Sequence, residues 1–186
     1  MEEAPRISEV DAAAKIKQGK LPIVFGQELG LEGRWFDEAS AATRAAGWKV
    51  VGTRGVRTDA GGSRAGAYIA VPSCIGLKKA AGQAAWDMSP AGCAGRACVA
   101  VMEAAGGVKL FLFSLYMWTG LSLSNVLNAE VLEVVARWIR QLGLPWLVGV
   151  DWQNLSRALE GSRRDAVARG EVIAPEQGAC RSKGKE

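Results

Sequence analysis

Two apolar runs in this chain of 186 residues end in a carboxylate, and a third ends in a phenol: "PIVFGQE" stops at Glu28, "PWLVGVD" at Asp151 and "KLFLFSLY" at Tyr116. Each run reads as a buried strand. A carboxylate at the end of a buried strand costs desolvation energy unless a cation or hydrogen-bond donors meet it. Its recurrence points to one polar site at one end of a sheet sandwich, and a hard divalent ion is the natural partner of such oxygen ligands. The competing account is that strands simply become polar where they emerge into solvent. Composition alone does not separate the two.

The elements that must position these residues follow from periodicity and punctuation. Residues 8–18 read as a helix, with Ser8 and Asp11 spaced as a capping box. "KLPIVFGQE" reads as a short buried strand, and 31–46 as a helix whose stripe is Trp35, Phe36, Ala39, Ala42 and Ala46, stopped by Gly47. "WKVVGT" is the next strand. Residues 53–66, "TRGVRTDAGGSRAG", form a glycine-rich basic loop with neither GxGxxG nor Walker spacing. A solvated connection and a phosphate-facing loop both fit it. The strand "AYIAV" follows, and further strands at 96–103 and 108–116 flank the Gly106-Gly107 turn, which implies antiparallel pairing.

The clearest periodicity lies between Ser124 and Leu142. There Leu127, Val131, Val134, Val135, Trp138, Ile139 and Leu142 mark one apolar helix face, Glu133 and Arg137 pair outside it, and Gly143 ends it. The strand "PWLVGV" follows at once, which predicts a central, covered strand with Asp151 at its open tip.

Bulk properties narrow the class. With 49% hydrophobic residues the chain is long enough to bury a core. Its net charge of +4 favours polyanions only weakly, because the charges are spread. Cys74, Cys93, Cys98 and Cys180 form no CxxC pair, and with no histidine in the sequence a zinc site would need unusual ligands. Reduced thiols and an intracellular protein are expected, since the acidic start MEEAPR is unlike a signal sequence. From Leu110 to Ala129 the chain is uncharged, about the length of a membrane span. Its serines, asparagines and Gly120 make strand, loop and helix start the better reading, and no membrane partner is expected.

Taken in order, the three strand ends resemble a known family. "FGQELGL" is similar to the strand ending in Gln-Glu of the endonuclease/exonuclease/phosphatase superfamily, "LFSLYMWTG" to its strand ending in Tyr, and "LVGVDWQN" to its Gly-Asp-Phe-Asn strand end. "GGSRAGAYIAV" and "GRACVAV" resemble its central strands, and "VIAPEQGACRS" the segment before its last catalytic strands. The resemblance implies a layered α/β sandwich over residues 21–182, after a helical extension at 1–20 and before a loose tail at 183–186. It also implies that Glu28 binds Mg²⁺ or Mn²⁺, that Tyr116 hydrogen-bonds the scissile phosphate, that Asp151 orients or deprotonates the attacking water, and that Gln153 stands for the family's Asn.

Metal-dependent hydrolysis of a phosphodiester is the implied activity, with nucleic acid as substrate and a retroelement or abasic-site nuclease as the nearest branch. The sequence departs from the pattern at three places. Gln153 is one methylene longer than Asn, with Asn154 beside it. The family's opening strand and closing Ser-Asp-His segment have no counterpart. Impaired catalysis and an incomplete sheet of low solubility are therefore expected, the alternatives being an inactive remnant or an unrelated α/β binding module. Of the tryptophans, Trp118 and Trp152 stand within two residues of a site residue, and the others are expected in the core or at its rim.

Overall fold

The computed structural model describes residues 23–81, 95–103, 107–118, 121 and 125–151, with positions 142 and 151 described as backbone. In chain order these form β1 (Val24–Gly26), α1 (Gly33–Ala45), β2 (Trp48–Thr53), β3 (Val56–Arg57), β4 (Ser63–Arg64), β5 (Ala67–Pro72), β6 (Gly76–Lys79), β7 (Ala97–Glu103), β8 (Lys109–Tyr116), α2 (Val126–Leu142) and β9 (Trp146–Asp151). The architecture is mixed α/β. A three-stranded antiparallel sheet in the order β1-β5-β2 accompanies a four-stranded sheet in the order β6-β7-β8-β9. In the latter only the β8–β9 pair is parallel.

Strand alternation explains the layering. Successive side chains point to opposite faces, so Ile69 and Val71 of β5 meet Cys98, Ala100 and Met102 of β7 and Leu112 of β8 in one core, with Phe25 and Val51 at its margin. This is the interface between the two sheets. The opposite face of the four-stranded sheet carries Val99, Phe111, Phe113 and Leu115, and α2 covers it with Val131 and Val135. The outer face of the three-stranded sheet carries Trp48, Val50, Tyr68 and Ala70, and α1 lies beside β2 on that side. The layers therefore run helix, sheet, sheet, helix.

Several expectations from the sequence differ from the observed elements. The first strand is three residues long rather than reaching Glu28, because Gln27 turns inward to bond across the sandwich and Glu28 adopts a left-handed φ of 57°. The stripe assigned to the first helix is only partly buried. Trp35 is 56% exposed, with Arg34 4.9 Å from its ring centroid, whereas Ser40 faces inward. That helix has one sheet to cover, and 100° per residue carries Trp35 off the seam that Phe36, Ser40 and Thr43 follow. β9 is not central. Among the described residues it is the outer strand of its sheet, and α2 covers one of its faces. The strands β3, β4 and β6 were not anticipated, since each is two to four residues long. The uncharged stretch from Leu110 is strand β8 and then the start of α2, and among the described residues no helix is long and apolar enough to cross a membrane.

Helix ends obey local chemistry. Asn125 caps α2 through its side chain, which accepts from Leu127 N, and Gly143 closes it at φ 58° with its N–H on Ile139 O. Cys74 is exposed and Cys98 is buried, with Cys98 Sγ donating to Val51 O at 3.4 Å. The helix expected at 8–18, the tail at 183–186, Cys93, Cys180 and the segment 172–182 lie outside the described residues.

Candidate functional site

Gln27 is the residue that gathers the strand ends. Its amide Nε2 donates to Ser114 Oγ at 3.0 Å and to the Gly149 carbonyl at 3.3 Å. Ser114 Oγ in turn donates to Gly26 O at 3.1 Å. Ser114 is fully buried in an otherwise apolar strand, so its hydroxyl needs these partners. Gly149 admits the contact: a Cβ there would collide with the ring of Phe25 on β1. The end of β1 is thereby fastened against β8 two residues before Tyr116 and against β9 two residues before Asp151.

Register brings the remaining loops to the same end. Tyr116 is paired with Asp151 in the parallel β8–β9 ladder, and Leu115 with Ala97 at the start of β7. Gly26 is paired with Tyr68, and Ala67 with Thr53, so the starts of β5 and β7 and the ends of β1, β2, β8 and β9 share one rim. Backbone hydrogen bonds lace the loops there: Gly30 N to Ala65 O at 2.9 Å, Gly55 N to Leu31 O at 2.7 Å and Gly66 N to Gly95 O at 2.7 Å. Two residues other than glycine, Glu28 and Ala65, hold left-handed backbone in these loops. Each such residue stores about 1–2 kcal/mol, and strain of this kind collects where a site over-determines the chain.

Beyond Tyr116 the geometry is set by an arginine and an asparagine. Arg96, 5% exposed, lies 3.4 Å from the ring centroid of Trp118 and 4.9 Å from that of Tyr116. Its Nη1 donates to Met117 O at 3.2 Å, and Tyr116 N donates back to Arg96 O at 2.7 Å. Asn128, 1% exposed on α2, accepts from Trp118 N at 2.8 Å and donates to Trp118 O and Leu121 O at 3.3 Å each. A buried amide thus does for this loop what a neighbouring strand would otherwise do. Arg64, from the loop 53–66, stands 5.6 Å from the same Trp118 ring.

Of the residues singled out from sequence, Glu28 is exposed at the rim and Tyr116 is buried beneath Arg96. Asp151 ends β9 beside Tyr116. Gln153, Asn154 and Trp152 lie outside the described residues. Among the described residues no group of three or more His, Cys, Asp or Glu side chains is placed to hold a metal. Sequence reasoning missed Gln27, Ser114, Arg96 and Asn128. Signals existed: Ser114 is a lone hydroxyl in "LFLFSLY", Asn128 interrupts an apolar helix face, and Arg96 opens a strand of small apolar residues. No family model, no curated protein and no solved structure matches the chain.

Proposed function

We propose that the chain is a layered sandwich of the endonuclease/exonuclease/phosphatase type whose converging strand ends hold Mg²⁺ or Mn²⁺ and act on the phosphodiester of a nucleic acid, in the manner of retroelement or abasic-site nucleases. The observation that carries this reading is the pair of hydrogen bonds from Gln27 to β8 and β9. They set Glu28 at the rim that the ends of β8 and β9 form. The donor set suits the ion, because Mg²⁺ keeps several waters and is commonly held by one or two carboxylates. Glu28, exposed and in an uncommon backbone conformation, offers one, and Asp151, whose backbone ends β9, is assigned the second.

The protein's own groups divide the chemistry. Glu28 holds the ion, which when bound neutralises phosphate charge and makes bound water easier to deprotonate. Asp151 orients the attacking water and takes its proton. Tyr116 donates its phenolic hydrogen to a phosphate oxygen, and Gln153 donates an amide hydrogen. The 186 residues include no histidine, so no imidazole contributes, and loss of one such group typically lowers a rate about 10²- to 10⁴-fold. The expected result is slow nicking of supercoiled DNA with Mg²⁺ or Mn²⁺, visible with protein in excess and abolished in Asp151→Ala. Rapid turnover, or nicking that survives Asp151→Ala, would overturn the assignment.

A second reading, binding without turnover, draws on a different observation. Arg96 lies over the Tyr116 ring and leaves that residue 6% exposed, so an incoming phosphate meets the phenol only if the arginine yields. Mn²⁺ uptake that depends on Glu28, with no nicking by any variant, is the outcome specific to this reading.

A further inference from the structure

Arg64, in the basic loop 53–66, brings its guanidinium to the ring of Trp118, two residues beyond Tyr116. The loop folds as a hairpin in which Val56 pairs with Arg64 and Arg57 with Ser63. Cross-strand partners share a face and neighbours alternate, so Arg57 and Arg64 sit on opposite faces of the ribbon. Arg54, the third cation of the loop, is already engaged: its Nη2 donates to both oxygens of Asp37, at 2.8 and 2.9 Å. Arg64 is exposed, forms no ion pair among the described residues, and is held with its guanidinium 5.6 Å from the Trp118 ring.

The Trp118 beneath it is contacted from two further segments. Arg96 stacks on Trp118 at 3.4 Å, and Asn128 fixes the Trp118 backbone from both sides. A guanidinium resting on an aromatic ring loses less freedom on binding than one that swings free, and its planar fork suits phosphate oxygens. It stands next to the candidate reacting centre rather than in it, since Trp118 follows Tyr116 by two residues. A ligand that spans both places carries a second phosphate. A small phosphate monoester has none to offer.

We propose that Arg64, seated on Trp118, binds a phosphate flanking the one at the strand ends, and that the ligand is therefore an extended nucleic-acid strand rather than a small phosphate ester. This rests on the reading of the strand ends as the reacting site. The test is kept separate from it by measuring affinity in EDTA, where no metal contributes, while failure of the strand-end reading shows as absent Mn²⁺ uptake by the wild-type chain.

The probe is a labelled DNA oligomer of about 20 nucleotides, single-stranded and duplex, titrated across a range of salt. Each phosphate contact contributes roughly 0.7 to 0.9 to the slope of log affinity against log salt. Arg64→Ala should lower affinity roughly tenfold and flatten the slope by about that amount. Arg54→Ala and Arg57→Ala remove the same charge from the same loop, yet should change affinity less than about twofold. Arg64→Lys, which keeps the charge, should restore the slope. Equal losses in all three alanine variants would reduce the effect to net charge and overturn the proposal. So would an unchanged Arg64→Ala, a Lys variant that folds but does not restore the slope, or a mononucleotide that competes as well as the oligomer. Far-UV circular dichroism of each variant verifies the fold, and all three arginines are exposed.

Discussion

Glu28 carries an exposed carboxylate on a left-handed backbone at φ 57° that a side chain resists. Glu28→Gly removes both the carboxylate and the strain. It should leave stability equal or raise it by up to about 1 kcal/mol while abolishing Mn²⁺ binding, a trade of function for stability read by thermal melts and metal titration. Asn128→Ala should have the opposite balance. It removes three part-buried hydrogen bonds to the backbone of the loop after Tyr116, and at about 1 kcal/mol for each the expected loss is about 2–4 kcal/mol in denaturant unfolding. Ser63 makes a useful contrast. Its hydroxyl is buried with no hydrogen-bond partner among the described residues, so Ser63→Ala should be neutral or slightly stabilising.

At the scale of elements, the contact between β1 and the four-stranded sheet decides whether a rim exists at all. Gly149→Ala would push a methyl group into the Phe25 ring, and overpacking of this sort costs about 1–3 kcal/mol. The variant should melt at lower temperature and also lose Mn²⁺ affinity, because β1 leads into Glu28 two residues beyond its end. Tyr68 guards the other face of β1, packed against Gly26. Burial raises its phenol above the ordinary value of 10.0. A raised folded value means that Tyr68 contributes stability below pH ~10, where the unfolded phenol also keeps its proton, and that this contribution is lost as pH climbs through the folded value. Tyr68→Phe should therefore flatten the alkaline decline of the melting temperature. The strands β2, β5, β7 and β8, apolar runs bounded by turn residues, were readable to within a residue at either end, and α2 to within two from its 3.6-residue stripe and Gly143. The two- to four-residue strands β3, β4 and β6 were not, because so short a run holds too few residues to show a period, and pairing rather than propensity makes them strands.

For the whole molecule, the layering of helix, sheet, sheet and helix follows from amphipathic faces that each element could advertise alone. Which strand ends share a rim depends on register between sheets, a long-range property set here by Gln27, Ser114 and Gly149. The tips Glu28, Tyr116 and Asp151, and the expectation that they gather at one end of a sandwich, were legible in the sequence, but the contacts among Gln27, Ser114 and Gly149 that fasten the strand ends were not. The sequence likewise gave no hint that Arg96 would lie over Tyr116, since the two are 20 positions apart and meet only through the β7–β8 pairing. The claim on which the account turns is that one divalent ion is shared at this rim. Crystals grown with Mn²⁺ and measured for its anomalous scattering test it most directly. A single peak at about 2.0–2.3 Å from a Glu28 oxygen, with Asp151 bound to it directly or through one water, is the expected result; a peak elsewhere, or Glu28 and Asp151 facing opposite ends of the sandwich, would contradict it.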